Sequence, residues 1–516
     1  MNPKVPAAPS PKPLLVATLP GRTAAEVKTD FRRASELGAD LVEVRLDRMP
    51  SEEIAKLETI HQIPIEFEWV PAIATYRSRA EGGEGSDRES DRLTVLLRAL
   101  DALPFTYVDL EIVRDLRIAR ELRSSYGRAL RQLFSAHLPP DTPGASIERI
   151  LEDALTIGDL GKVVLPASVD RAVSELIPIA RKWKGRPYVL HTTGPSGPIL
   201  RALAYRLGMR FVYTALPGGL RAPVEPTQLP LDRMRSFFDA GEDTPWLAVV
   251  GHPIAHSRSP LLHHRFLEEV KLPWLYLILD ITTEEEFRTA LPRLLSEGLA
   301  GLNITAPYKE LAPALCEHRE EEVVVSGSAN TLTLRKGPPA TLDAANTDVL
   351  ALAQLLTEVE KTGWDGATLL VVGSGGTARA AIAAGVEHGA QVYVTGRNME
   401  NVARVVSNFP PEAVHSLPPT SLRPFPLIIH ATPAGQVGAG PLEIPIMPAL
   451  VKGGTLLDLV YAHSGTELRD MALRVGTTYI SGEKVLVYQA AESFRRFTGR
   501  TPSTSLVETL LLAVVP

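Results

Sequence analysis

One cysteine in 516 residues, Cys316, leaves nothing from which to build an internal disulfide and suits a reducing, cytoplasmic setting. No apolar run approaches the roughly 20 residues that a membrane span needs. Neither sign of charge dominates: 54 basic against 60 acidic residues give a net charge of -6, which offers no support for a nucleic-acid or polyanion partner. The opening stretch, Met1 to Pro13, is proline-rich but lacks an apolar segment, so it reads as a flexible tail and not a signal peptide. No metal is expected. What remains is 45% hydrophobic and 22% charged, an ordinary globular composition, and long enough for two to four domains.

Two halves follow different patterns. From Leu14 to about Ala240, short β-rich runs alternate with helical stretches: LLVATLP, LVEVRLD, AIATYR, YVDLEI, LRQLFSAHL, KVVLPAS, YVLHTTG and RFVYTAL. Strict alternation implies parallel strands joined by right-handed crossovers. Eight such units over residues 14–240 suit a closed (β/α)8 barrel, with an open doubly wound sheet as the rival. Near Gly241-Glu-Asp-Thr-Pro245 the pattern resets. An α/β domain is expected over 246–350, a Rossmann-type domain over 351–480, and helices over 481–516 that pack back on the former.

In the first half, polar residues interrupt apolar strands. Glu43, Arg45 and Asp47 share one parity and so face one side, into a barrel if Val42, Val44 and Leu46 pack outward. Buried there, they must pair or bind a ligand; a structural ion network is the plainer alternative. Lys162 begins an apolar strand, where a desolvated amine is a competent nucleophile toward a ketone. His137 ends the preceding strand, and an imidazole there can act as general acid and base. Together these motifs (EVRLD, TYRSRAEGGE, His137, Lys162 and GPSGPILR) resemble type I 3-dehydroquinate dehydratases in content and order. The resemblance implies that Lys162 forms a Schiff base and His137 moves the protons. It further implies that Thr18, Glu43, Arg45, Arg77 and Arg201 hold substrate while Glu81 orients His137. In place of the family's Ser/Thr-Ala-Pro-Gly-Gln lid, this chain carries Arg221-Ala-Pro-Val-Glu225.

The second half offers GHPIAHSRSP, where Ser257 and Ser259 stand two apart in what reads as an extended segment with both hydroxyls on one side. NITAPYKE and NTD add Asn303, Thr305, Lys309 and Asp348; a lysine and an aspartate converging on a hydroxyl carbon can pass a proton while hydride moves, although a surface ion pair is the plainer alternative. GSGGTARA follows the strand TLLVV and opens a helix, the context of a dinucleotide fingerprint. Gly373 and Gly375 permit the turn and the approach of a pyrophosphate, with Ser374 and Thr377 beside them, and Gly376 is expected to let the helix pack on the sheet. Arg397 stands where NAD enzymes tend to carry an acid, so NADP(H) is expected.

These motifs, with ANTL and GEKVLVYQAAESF, resemble shikimate dehydrogenase. By that resemblance Ser257, Ser259, Thr305, Asn330, Tyr461 and Gln489 bind substrate, Lys309 and Asp348 are the catalytic pair, and Leu459 and Gly482 lie against the nicotinamide. The family usually has Gly at the position of Val349, and Asn at those of Gly396 and His430. The order of the halves is similar to the fused dehydratase–dehydrogenases of plants and some bacteria, with 3-dehydroquinate and 3-dehydroshikimate as substrates of successive steps. The alternatives are a non-catalytic sensor of quinate or shikimate and a quinate dehydrogenase. A sensor needs no imine-forming lysine, and Ser257 and Ser259 disfavour the latter.

Overall fold

The computed structural model describes residues 12–62, 69–217, 222–255, 257–335, 337, 341–361, 366–435, 440–460 and 467–514. Tyr461, Arg221, His256 and residues 1–11 of the expected tail lie outside these. Two compact units emerge, one of residues 1–245 with 273–298, the other of 246–272 with 299–516.

The first unit holds eight parallel strands: β1 (Leu14–Leu19), β2 (Leu41–Arg45), β3 (Ala72–Thr75), β4 (Tyr107–Glu111), β5 (Arg131–His137), β6 (Leu160–Pro166), β7 (Tyr188–Thr193) and β8 (Phe211–Thr214). Their order is β7-β6-β5-β4-β3-β2-β1-β8. Arg210 N donates to Tyr188 O at 2.9 Å, bringing the two ends of the sheet together. The result is the barrel and not the open sheet. Local signals set the helices: Thr23 and Glu26 form a capping box at the start of Ala24–Glu36. Segment 273–298 joins this unit through its helix Glu284–Ser296, where Thr289 Oγ1 donates to Asp170 at 2.9 Å and Glu297 accepts from Arg181.

A period of two organises the barrel interior. Val16, Leu41, Ile73, Tyr107, Leu133, Leu160, Val189 and Phe211 form one apolar cluster, joined by Tyr213. Two residues further along the strands come Thr18, Glu43, Thr75, Asp109, Ser135, Lys162 and His191, all buried. An apolar layer therefore closes one end, and a polar layer stands above it toward the C-terminal ends of the strands.

In the second unit, strands Trp246–Gly251, Leu299–Ile304, Thr331–Arg335, Thr341–Ala345 and His318–Arg319 are successive neighbours, in mixed directions. A separate parallel sheet runs Val414–Ser416, Gln391–Thr395, Thr368–Val372, Leu427–His430, Thr455–Asp458, Thr478–Ser481. In sequence order this is 3-2-1-4-5-6, the dinucleotide-binding arrangement. Helix Glu483–Thr498 lays Phe494 and Phe497 against His263 of helix Ser259–Glu269, at ring separations of 6.1 and 5.9 Å. No described helix is long and apolar enough to cross a membrane.

Candidate active sites

Most of the polar layer of the barrel is mutually paired. Lys162 on β6 donates to Asp109 Oδ2 on β4 at 2.9 Å, and its Nζ stands 4.1 Å from the ring centre of Tyr213 on β8. Glu43 Oε1 is 4.0 Å from Nζ, and the Glu43 carboxylate accepts from Thr18 at 3.0 Å and Thr75 at 2.9 Å. The Asp109 carboxyl would be pushed up by burial, but Arg77, Lys162 and the Ser135 hydroxyl hold it well below its ordinary range. Lys162 is thus an ion-paired amine, not merely a desolvated one.

Above Asp109, Arg77 donates to Asp109 at 2.8 Å, Ser135 at 2.9 Å and Glu81 at 3.0 Å. The glycines of the EGGE motif explain how Glu81 arrives there. A side chain on Gly83 would lie 2.6 Å from Arg77 Cβ, and Gly85 N donates to Arg77 O at 2.9 Å, so the loop folds tightly back on the arginine. Glu81 Oε2 then sits 3.1 Å from His137 Nδ1 and accepts from the His137 backbone N–H at 3.1 Å. Burial, then the charges of Arg77 and Lys162, depress His137 well below its ordinary range, opposed by the charge of Asp109. Glu81 is pushed up to about 7 by burial, against the pull of Arg77 and with that of Glu111. His137 is therefore a neutral imidazole hydrogen-bonded to Glu81, not one half of an ion pair.

Asp47 lies past the end of β2 in a 3-10 turn, where it chelates the Arg45 guanidinium at 2.9 and 2.8 Å; alternation ends where the strand does. Arg201 stands on the short helix Gly197–Ala202 after β7, buried, donating to Thr192 O at 2.7 Å, Gly197 O at 2.6 Å and Thr227 Oγ1 at 3.2 Å. Its Nε is buried without a hydrogen-bond partner, and burial pushes the guanidinium down to about 10, opposed by the charge of Glu225. Glu225 itself accepts from the Thr227 backbone N–H and hydroxyl. Asp109, Ser135, His191 and Tyr213 were not singled out from sequence. The available signal was their spacing, each two residues beyond a member of the apolar layer.

In the second unit, Lys309 Nζ donates to Asp348 Oδ2 at 2.6 Å and to Thr377 Oγ1 at 3.1 Å. The pair is largely buried, with 14% and 9% of side-chain surface exposed, so it is no surface ion pair. Asn330 Oδ1 accepts from Thr347 N at 2.8 Å and so fixes the first turn of the helix carrying Asp348. Ser257 and Ser259 do not form the expected extended segment. Pro260 starts a helix at Ser259, Arg258 is already helical, and Ser257 Oγ accepts from Ser259 N at 3.3 Å. Thr305 follows strand Leu299–Ile304, with its N–H on Val250 O at 2.9 Å. Gln489 is buried on helix Glu483–Thr498, donating to Leu486 O at 2.9 Å.

The glycine-rich turn fits a dinucleotide. Gly373 has φ 137°, and a side chain there would meet Ala431 O at 2.6 Å, so only glycine suits it. Gly375 has open space around its Cβ position and caps helix Gly376–Glu387, leaving room for a phosphate at the helix N-terminus, with Ser374 in the turn before it. The packing role expected of Gly376 belongs instead to Gly385, which lies on Leu369 and Val392; Gly376 abuts Lys309, whose Cβ is 2.8 Å from where a side chain would begin. Arg397 follows strand Gln391–Thr395, 78% exposed, with Glu443 at 3.3 Å. Gly482 touches the Leu459 backbone, 2.6 Å from its own Cβ position. His430 uses both ring nitrogens, on Asp458 at 2.8 Å and Thr432 at 2.6 Å. Among the described residues no group of side chains could hold a metal ion.

A lysine-centred barrel site and a nucleotide-binding lobe beside a Lys–Asp pair define a chain with two separate α/β modules. The family described as Type I 3-dehydroquinase matches residues 15–243, the Shikimate dehydrogenase substrate binding domain 249–332, and the Shikimate 5'-dehydrogenase C-terminal domain 482–512. The chain is 26% identical over 487 residues to the bifunctional 3-dehydroquinate dehydratase/shikimate dehydrogenase of Arabidopsis thaliana, covering 90% of this chain and 79% of that one. It is 34% identical to the NADP(+) shikimate dehydrogenase of Shewanella woodyi over 51% of this chain and 96% of that protein. The corresponding enzyme of Dinoroseobacter shibae is 32% identical over 50% and 93%. The chain belongs to the shikimate dehydrogenase family through its second half, while its first half is similar to the type I 3-dehydroquinases.

Proposed function

We propose that this chain carries out two consecutive reactions: dehydration of 3-dehydroquinate to 3-dehydroshikimate, then NADPH-dependent reduction to shikimate. The observation that carries the first is a buried lysine, paired with Asp109 and facing Tyr213, one strand from a neutral imidazole. The barrel over 14–240 acts as the dehydratase, with 246–350 binding shikimate, 351–480 the nucleotide, and 481–516 supporting the former. The lone, buried Cys316 fits a cytoplasmic setting.

In the barrel, the Lys162 amine adds to the substrate ketone and water leaves as the imine forms. His137 takes a proton from the adjacent carbon, and the hydroxyl two carbons from the imine departs with a proton as water. Water then hydrolyses the imine and returns the amine, so the net change is loss of one water. Glu81 holds the imidazole, Arg201 takes the carboxylate, and Thr18, Glu43, Arg45 and Arg77 order the hydroxyls.

In the second module, the turn Gly373–Thr377 and Arg397 would hold NADP, with Leu459 and Gly482 beside the nicotinamide. Bound there, it supplies the hydride. Lys309 donates a hydrogen bond and then a proton to the carbonyl oxygen, and Asp348 orients it. Ser257, Ser259, Thr305, Asn330, Tyr461 and Gln489 bind the carboxylate and hydroxyls, and Asn330 also sets the position of Asp348. Borohydride added with 3-dehydroquinate should trap an adduct on Lys162; intact masses with no adduct, or an adduct persisting in Lys162→Ala, would overturn the imine mechanism.

A further inference from the structure

His191 takes no part in the mechanism above, yet it belongs to the same polar layer. It lies on β7 level with Val164 of β6, and Val164 is level with His137 on β5, so one imidazole stands on each side of the lysine's strand. The residue is 1% exposed. Its Nδ1 is 3.1 Å from Leu190 O, a group that can only accept, so Nδ1 carries the proton and Nε2 presents a lone pair. Nε2 is buried without a hydrogen-bond partner, as is the hydroxyl of Tyr213, whose ring meets His191 edge-on at 6.2 Å. Leaving a buried acceptor unmatched is costly, and buried polar atoms without a partner mark places where a ligand completes the network.

The neighbouring groups narrow the ligand. Arg201, with its own unmatched Nε, and Lys162 are the two cations whose charges act on the His191 ring. A carboxylate on the first and a ketone carbon at the second would span the same pocket. In 3-dehydroquinate the carbon bearing the carboxylate also bears a hydroxyl, two bonds from the ketone carbon. We infer that His191 Nε2 accepts a hydrogen bond from that tertiary hydroxyl, making His191 a residue that tells substrate from product. The inference rests on the dehydratase activity proposed above. Because dehydration removes this hydroxyl, the product cannot make the contact.

The test compares wild type with His191→Phe, which keeps a ring against Tyr213, His191→Met, and His191→Gln, which restores an acceptor. Enone absorbance gives kcat and KM for 3-dehydroquinate, and 3-dehydroshikimate serves as a competitive inhibitor. The Phe and Met variants should lose roughly tenfold in kcat/KM, a typical effect of one hydrogen bond. Inhibition by the product should stay within about twofold, and Gln should recover most of the loss. Borohydride trapping of 3-dehydroshikimate on Lys162 reports an intact barrel in each variant, and either apolar variant carries the comparison if the other fails to trap. Unchanged kcat/KM, or product inhibition weakened in parallel, would overturn the inference. Absence of any adduct in the wild type would instead overturn the imine mechanism itself.

Discussion

Replacing Asp109 by Asn tests whether the barrel site is held by charge or only by shape. The carboxylate takes Lys162 at 2.9 Å and Arg77 at 2.8 Å, both inside the barrel. In Asp109→Asn, Arg77 keeps Glu81 at 3.0 Å and Ser135 at 2.9 Å, whereas the one carboxylate left to Lys162 is Glu43, at 4.0 Å, beside the Tyr213 ring at 4.1 Å. The unmatched charge is therefore that of Lys162. Breaking a buried pair by removing one partner costs about 3–5 kcal/mol. For a module of this size, that is a fall of roughly 6–20 °C in the barrel's melting temperature. Because the folded Asp109 titrates well below its ordinary 3.8, its contribution is complete above that value and is lost as the pH falls through the folded one. The deficit should thus be constant from about pH 5 to 8 and shrink only in strong acid. Adding Lys162→Met removes the orphaned charge, so the double variant should be more stable than Asp109→Asn alone, with a coupling of about 0.5–3 kcal/mol. Calorimetry with urea unfolding would measure both. A single variant within about 1 kcal/mol of wild type, or strict additivity in the cycle, would refute the argument.

Lys309→Ala should lower reduction by about 10²–10⁴-fold while dehydration continues and 3-dehydroshikimate accumulates, read by following NADPH and enone absorbance separately. Arg397→Ala should erase most of the preference for NADP over NAD, about 1.5–3 kcal/mol in the ratio of kcat/KM values, and leave NAD use nearly unchanged. Dehydration should weaken as the pH drops through about 7, where Glu81 gains a proton and stops accepting from the imidazole. In Glu81→Gln a pH–rate profile should lose that limb.

Strand alternation was legible because buried parallel strands are apolar on both faces, so each run stands out between helical stretches. Glu43 and Lys162 were visible as charges inside such runs. Asp109 was equally visible in YVDLEI, but its worth lies in meeting Lys162, and that depends on β4 and β6 flanking β5 in the folded sheet. The serine pair misled because Pro260 turns the segment into a helix start, a local signal that outweighs the alternating pattern. Gly376 misled because its neighbour, Lys309, is 67 positions away in the chain and close only after folding.

The two-residue offset between the barrel's apolar and polar layers has a consequence for how such a chain can change. In proteins whose reactive groups sit on loops, new chemistry can be tried without touching the core. Here Leu160 and Lys162, Tyr107 and Asp109, Leu41 and Glu43 share strands, so a shift of register that moved one would move the other. Insertions or deletions within these strands would remove the reaction and the fold together. Tolerated variation is confined to exchanges of one side chain for another at fixed positions.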